Sequence, residues 1–311
     1  MRVAVYGTGG VGGYFGGQLA LAGEQVYFIA RGAHLQAIRE NGLEVASVKG
    51  NFKIIHALAA ETPSEIGAVD VVLVAVKAWQ VPEIATKLEP LLGPDTFVVP
   101  LENGVESADQ LATVIGKHRV AGGLCKIISF IEGPGKIKHA GAEPFIAFGE
   151  LDNSKSERTE KLLEAFQRVG VASKIPEDIH AAIWEKFLFI ASISGIGAVT
   201  RSPIGILRTV PETRAMLEEA MHEIYRVALA KGIQLKDTVL SKTMGFVDQL
   251  PATGTSSMQR DIAEGKPSEL EAQNGAVVRF GKEKNVPTPV HAFIYNCLLP
   301  SELNARGQIS L

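Results

Sequence analysis

Val3-Ala4-Val5-Tyr6-Gly7-Thr8-Gly9-Gly10-Val11-Gly12 is the stretch that decides the fold. The apolar residues before Gly7 suit a buried parallel strand, and Val11 to Leu21 carries the apolar spacing of a helix. Each glycine of Gly7-x-Gly9-x-x-Gly12 answers a steric need. Gly7 permits the tight turn, Gly9 lets backbone approach a pyrophosphate, and Gly12 lets helix and strand pack closely. The helix start then offers unpaired N–H groups and a positive dipole end to an anion. Thr8, Gly10 and Val11 belong to the same turn and complete the expected phosphate contact. A second strand, Gln25 to Ala30, follows on schedule. The reading is a Rossmann-type dinucleotide site.

The end of that second strand indicates which dinucleotide. NAD sites place an acidic residue about twenty positions after the glycines, to hold the ribose 2′-hydroxyl. Here Val26-Tyr27-Phe28-Ile29-Ala30-Arg31-Gly32 puts Arg31 in that place. A guanidinium grips a 2′-phosphate bidentately, so the expected cofactor is NADP(H). The plainer alternative is a solvated arginine opening the next helix.

Composition narrows the rest. With 311 residues, 46% hydrophobic and 21% charged, the chain can build two soluble domains. A net charge of −3 and no cluster of Lys and Arg give no sign of a nucleic-acid surface. The two cysteines, Cys125 and Cys297, make neither a disulfide framework nor a metal motif, so a reducing cytoplasm is expected and no metal. The chain is expected to enter a strand almost at once, so no signal peptide is expected. The longest apolar stretch, Phe187 to Val199, reads as too short for a membrane span.

Strand and helix patterns alternate as far as about residue 150. Strands are expected at Leu43–Val48, Phe52–Ala57, Val69–Val76 and Thr96–Leu101, with helices at Ala33–Asn41, Val81–Leu92 and Ser107–Ile115. The runs Val120–Phe130 and Pro144–Phe148 are expected to extend the sheet as antiparallel strands. Helix Lys155–Val169 and edge strand Val171–Ile175 follow. Thereafter only helical patterns occur: Ile179–Val199, Glu212–Lys231, Leu235–Gln249, Ser268–Lys284 and Val290–Leu299. The tail Ser301–Leu311 is expected to be loose. This gives a Rossmann-type α/β domain over residues 1–174 and an all-helical domain over 175–311. The active site is expected in the cleft between them.

Five positions carry candidate chemistry. Lys186 stands in the apolar segment Ile183-Trp184-Glu185-Lys186-Phe187-Leu188-Phe189-Ile190-Ala191 and shares a helical face with Ile190 and Ser194. A partly desolvated ammonium can protonate a developing alkoxide, or its stem can simply cover core. Asn103, in Leu101-Glu102-Asn103-Gly104, follows a strand where ligands are met, though Asn-Gly is also an ordinary turn pair. Lys77, at the carboxyl end of the Val69–Val76 run, is placed near the cofactor or in a solvated loop. Glu269 stands in an expected first helical turn, where acids also serve the dipole. Ser256-Ser257-Met258 binds a carboxylate or caps a helix.

In order and spacing, these segments resemble the ketopantoate reductase (2-dehydropantoate 2-reductase) family over nearly the whole chain. The resemblance rests on the glycine motif with Arg31, Val76-Lys77-Ala78-Trp79-Gln80, Asn103-Gly104-Val105, Trp184-Glu185-Lys186, Ser256-Ser257-Met258, and Ser268-Glu269 followed by Asn274-Gly275. It implies NADPH-dependent reduction of a 2-keto acid, with ketopantoate going to pantoate in pantothenate and coenzyme A synthesis. It also implies Lys186 as general acid, and Asn103, Ser257 and Glu269 as holders of substrate carboxylate, carbonyl or hydroxyl groups. Lys77 and Asn103 join the cofactor set. Three positions depart from the pattern. The family's lysine helix carries asparagines four and eight residues on, where this chain has Ile190 and Ser194, and another before the paired serines, where it has Gly254. A less polar 2-keto acid is therefore a second substrate reading. A non-catalytic NADP(H) sensor and an NAD-linked opine or 3-hydroxyacid dehydrogenase are readings from other classes. The sequence leaves monomer and homodimer open.

Overall fold

The run Val69-Asp70-Val71-Val72-Leu73-Val74, buried at every position except Asp70, forms a central strand of the N-terminal half. In the computed structural model, which describes residues 1–141 and 143–310, the chain forms two units. Met1–Glu102 with Glu106–Ile179 makes the first, and Asn103–Val105 with His180–Leu311 the second.

The first unit runs β1 (Arg2–Tyr6), α1 (Gly10–Leu21), β2 (Gln25–Ile29), α2 (Gly32–Asn41), β3 (Leu43–Ser47), β4 (Phe52–Ile54), β5 (Leu58–Ala60) and β6 (Val69–Val74). It continues with α3 (Val81–Ala85), β7 (Leu92–Pro100), α4 (Ser107–Ile115), β8 (Ala121–Lys126), β9 (Ser129–Gly133), β10 (Lys136–His139), β11 (Phe145–Glu150), α5 (Glu157–Arg168) and β12 (Ala172–Lys174). The main sheet is parallel, in the order β5-β2-β1-β6-β7. Strand alternation gives it two buried faces. Val3 and Val5 enter one core with Phe15, Phe28, Leu73 and Val99, while Ala4 and Tyr6 enter another with Val72, Val74 and Leu88. The strand order reverses between β1 and β6, which is where ligands meet such sheets.

Three expectations are corrected here. Phe52–Ala57 is not one strand. β4 pairs with β3 in a four-stranded sheet, and the chain then turns so that β5 pairs with β2 in the main sheet. Val120–Phe130 likewise divides, with β8 pairing β11 in a three-stranded sheet and β9 pairing β10 in the four-stranded one. Neither extends the main sheet as a ladder strand; β8 lies against β7, where the isolated parallel bridge Val98–Val120 forms. The helix expected to reach Leu92 ends at Ala85, and Pro90 falls in a separate 3₁₀ turn, consistent with a ring that cannot continue an α-helix.

The second unit contains α6 (Ile179–Thr200), α7 (Ile204–Thr209), α8 (Pro211–Ala230), α9 (Val239–Gln249), α10 (Ser257–Ala263), a π-turn at Glu271–Gly275, α11 (Ala276–Lys284) and α12 (Pro289–Ala305). At 22 residues α6 is long and apolar enough to cross a membrane by length and composition only, since it extends beyond the apolar stretch Phe187–Val199 on its N-terminal side. It is instead a core helix: Trp184, Phe187, Leu188, Ala191 and Ile196 are buried with Leu217, Met221 and Ile224 of α8 and Ile294 of α12. The expected loose tail is also corrected, with Leu311 outside the described residues. α12 continues through Pro300 to Ala305, because the buried Glu302 accepts hydrogen bonds from Ser268 N at 3.0 Å, from its Oγ at 2.5 Å and from Arg306 Nε at 2.6 Å.

Candidate active site

The glycine turn sits at the carboxyl end of β1, beside the residue that follows β6. Gly7 takes φ +97°, and a Cβ on it would lie 2.7 Å from Ala75 O. A Cβ on Gly12 would lie 2.2 Å from Gly7 O, so only hydrogen fits. Gly9 differs: nothing stands within 4 Å of its would-be Cβ. The α1 N-terminus has no side-chain cap, so its first N–H groups face this open space uncommitted to a side chain. Gly10 is pressed by the chain itself, its would-be Cβ 2.2 Å from Ser129 O. These features fit a pyrophosphate approaching at Gly9.

The Thr8 side chain is directed elsewhere. Its Oγ1 donates to Ile29 O at 3.0 Å and its N–H to the same oxygen at 3.1 Å, which ties the turn to the end of β2. Thr8 O in turn meets His34 Nε2 at 2.8 Å, while Gly135 N donates to His34 Nδ1 at 3.0 Å. Nδ1 is therefore the acceptor and Nε2 carries the proton. Burial holds the His34 pKa below its usual value, against the pull of the Thr8 carbonyl. Sequence reading missed His34, because nothing local marks one histidine among seven as a brace for this loop.

Arg31 is exposed at the N-cap of α2, two residues beyond β2, with its guanidinium available to an anion arriving from solvent. Lys77 is half-buried just after β6, with Nζ 5.8 Å from the Trp79 ring centroid and its N–H bonded to Gln80 Oε1 at 3.1 Å. Beside it the buried Glu102 accepts from Val76 N at 3.2 Å.

The helical unit gathers a second set. Asn103 Nδ2 donates to Glu269 Oε2 at 2.9 Å across 166 residues of sequence, and Glu269 is only 5% exposed. Gly104, at φ +109°, makes that approach possible, since a Cβ there would lie 2.9 Å from Ala272 O. Glu269 precedes the π-turn and does not stand in the first turn of a regular α-helix as expected. Lys186, Ile190 and Ser194 follow one another at four-residue intervals along α6. Lys186 and Ile190 are half-buried, whereas Ser194 is wholly buried and its Oγ has no hydrogen-bond partner among the described protein atoms. Ser256 is the α10 cap, accepting from Gln259 N at 3.1 Å. Ser257, the first residue of α10, is half-buried.

Three further buried polar residues were not singled out by sequence. Asn274 Nδ2 meets Ala191 O at 3.2 Å and His291 Nδ1 at 2.9 Å, and Glu223 accepts from Val290 N at 2.7 Å and His291 N at 3.0 Å. Burial raises the Glu223 pKa and pushes that of His291 down to about 4. Only the Asn274-Gly275 pair gave any signal, and that as part of a motif. Among the described residues, no three His, Cys, Asp or Glu side chains gather as a metal ion needs.

Comparison with known proteins bears on both units. The model of the ketopantoate reductase PanE/ApbA family matches residues 3–153, and that of its C-terminal part matches residues 178–302. An uncharacterized oxidoreductase of Bacillus subtilis is 30% identical, over 95% of this chain and 97% of its own length. A 2-dehydropantoate 2-reductase of Mesorhizobium japonicum is also 30% identical, over 93% of this chain and 94% of its own. Among solved structures, a 2-dehydropantoate 2-reductase from Geobacter metallireducens superposes with a TM-score of 0.90 at 29% identity, covering 97% of this chain and 100% of that one. A D-mandelate dehydrogenase solved with NADH and anilino(oxo)acetate shares the fold, with a TM-score of 0.89 at 24% identity.

Proposed function

The chain belongs to the ketopantoate reductase family of oxidoreductases, and from that premise we propose that it reduces 2-dehydropantoate to pantoate with NADPH. The observation that carries this reading is the 2.9 Å bond from Asn103 to the nearly buried Glu269, made within the unit that also carries Lys186.

The residues of the first unit fit the dinucleotide. Gly9 leaves space against the open N–H groups of α1, and the exposed Arg31 guanidinium suits a 2′-phosphate. Lys77 adds a cation at the carboxyl end of β6. When bound, the cofactor supplies a hydride to the keto carbon. Lys186 gives a proton from Nζ to the carbonyl oxygen as the C=O bond becomes C–O–H, and recovers that proton from solvent afterwards. Asn103 and Ser257 offer an amide and a hydroxyl to the substrate carboxylate and carbonyl. Glu269 fixes the Asn103 amide and accepts from a substrate hydroxyl.

A second substrate reading has its own observation. Ile190, half-buried four residues after Lys186, presents an alkyl surface where the family pattern has asparagine. Branched 2-keto acids without a hydroxyl then compete with ketopantoate, at a discrimination of about 1–3 kcal/mol per methylene. NADPH oxidation by the purified protein against a panel of 2-keto acids tests both. Ketopantoate turned over well above the rest supports the first reading. Equal or better turnover of branched keto acids supports the second, and no NADPH oxidation with any of them overturns both.

A further inference from the structure

The helix that carries Lys186 and the segment that carries Glu269 are joined by one side chain. Asn274, wholly buried, stands in the π-turn that begins two residues after Glu269. Its amide nitrogen has two hydrogens. One points to Ala191 O of α6 at 3.2 Å, five residues beyond Lys186, and the other to His291 Nδ1 at 2.9 Å. The carboxamide lies directly on the α6 backbone because residue 195 is glycine. A Cβ there would stand 2.5 Å from Asn274 Nδ2 and 3.0 Å from its Oδ1.

The orientation of that amide is not free. His291 Nε2 faces Ala220 O at 3.0 Å, and a carbonyl can only accept, so Nε2 carries the hydrogen. Nδ1 is then an acceptor and requires the NH₂ side of Asn274. A flipped amide would set oxygen against both Nδ1 and Ala191 O. The ring itself is anchored where α12 begins, since the backbone N–H groups of Val290 and His291 donate to the buried Glu223 of α8. Four elements thus meet through one ring and one amide. π-turns of this sort recur where a fold must aim particular residues.

We propose that His291 and Asn274 are positioning residues for the reaction: the ring holds the carboxamide in one orientation, and the carboxamide locks the Lys186 helix to the Glu269 segment. This rests on the reading of Lys186 as proton donor. A displacement of about 1 Å in a reacting group can lower a rate about a hundredfold, so loss of the lock appears in kcat before it appears in cofactor binding.

The test uses the whole 311-residue chain and five variants, one of them Lys186→Ala. His291→Phe keeps the ring volume but removes the acceptor, and His291→Asn restores a side-chain oxygen acceptor and an N–H donor. Gly195→Ala displaces Asn274 from the α6 side. Val277→Ala loosens the same core at a buried residue outside the lock. Expected for His291→Phe and Gly195→Ala are a kcat lowered by about tenfold to a hundredfold, NADPH affinity within about twofold of the parent, and faster amide hydrogen exchange confined to residues 187–196. His291→Asn should recover most of the rate, and Val277→Ala should produce neither selective effect. If His291→Phe does not fold, Gly195→Ala carries the same comparison. Parent-like kcat and exchange in both lock variants would overturn the proposal, as would equal losses in Val277→Ala. Full turnover in Lys186→Ala would overturn the proton-donor reading, whereas its loss with an intact rate in His291→Phe sinks the positioning pair alone. The exchange readout needs no substrate, so it decides on the lock even if no keto acid is reduced.

Discussion

Alanine at Gly9 and alanine at Gly12 should separate the cofactor site from the fold, because the two methyl groups meet different surroundings. A Cβ on Gly12 would stand 2.2 Å from Gly7 O and 2.7 Å from Val5 Cγ1. Val5 lies on β1, which is paired with β2 on one side and β6 on the other, so neither contact can yield without moving the sheet. Overpacking of this kind costs about 1–3 kcal/mol, and each kcal/mol lowers the Tm of a domain this size by about 2–4 °C. Gly9 has extended backbone, φ −81° and ψ −161°, and open space within 4 Å of its would-be Cβ. Gly9→Ala should therefore leave the fold intact, or stabilise it by about 0.4–1 kcal/mol through a less flexible unfolded chain. Its methyl group instead intrudes where the pyrophosphate is proposed to meet the α1 backbone. A steric cost of about 1–3 kcal/mol there weakens NADPH binding roughly fivefold to a hundredfold. Thermal unfolding followed by circular dichroism gives the first quantity, and fluorescence titration with NADPH the second. A Gly9→Ala protein that binds NADPH as tightly as the parent would refute the placement of the cofactor at this turn.

Three further outcomes are expected. Arg31→Ala should weaken NADPH binding by about 1.5–3 kcal/mol, roughly tenfold or more, and leave NADH nearly unaffected; equal affinity of the parent for the two cofactors would contradict the role. Lys186→Ala should lower turnover about 10²–10⁴-fold with NADPH affinity nearly unchanged, and a folded mutant with parental turnover would remove the assignment. His291, with its pKa pushed from 6.5 to about 4, binds fewer protons folded than unfolded between those values, so it subtracts stability as pH falls through that window. Glu223, raised by burial, contributes with the opposite sign and is common to both proteins compared. Urea titrations from pH 7 down to about 4 should therefore show a shallower loss in His291→Asn than in the parent, by up to about 1.4 kcal/mol per pH unit; parallel curves would mean the ring is not held neutral.

The alternating half of the fold was legible because its signals are local. β1, the glycine turn and α1 follow from ten consecutive residues, and Arg31 from a fixed spacing after them. Errors fell where the chain changes sheets with no glycine or proline to mark the break, between Ile54 and Leu58 and again between Lys126 and Ser129. An apolar run reports burial and says nothing of the partner strand. The pairing of Asn103 with Glu269 lies beyond any local pattern, and only the resemblance put the two residues in one site. His34 and His291 were illegible for the same reason: each is defined by carbonyl and amide groups that distant segments bring to its ring.

Helix α6 shows why the polar partners of the lysine helix could not be read from its own sequence. Gly195 and Gly197 look like weak points, since glycine costs a helix interior about 1 kcal/mol relative to alanine. In the structure each is a docking point for a carboxamide from elsewhere, Asn274 on Gly195 and Gln259 on Gly197. Gln259 belongs to α10, two residues after Ser257, and its Nε2 donates to Ser202 O at 3.0 Å. A Cβ on residue 197 would lie 2.7 Å from Gln259 Oε1, so Gly197→Ala must turn that amide away from Ser202 O. Propensity gains about 1 kcal/mol, while a carbonyl left without its donor costs about 1–3 kcal/mol. The loss should win, giving a net destabilisation of up to about 2 kcal/mol, and the start of α10 with Ser257 should shift with it. Denaturant unfolding of Gly197→Ala measures the sign directly. A stabilised variant would mean that Gln259 moves freely and that these glycines do not hold the substrate side of α6 in place.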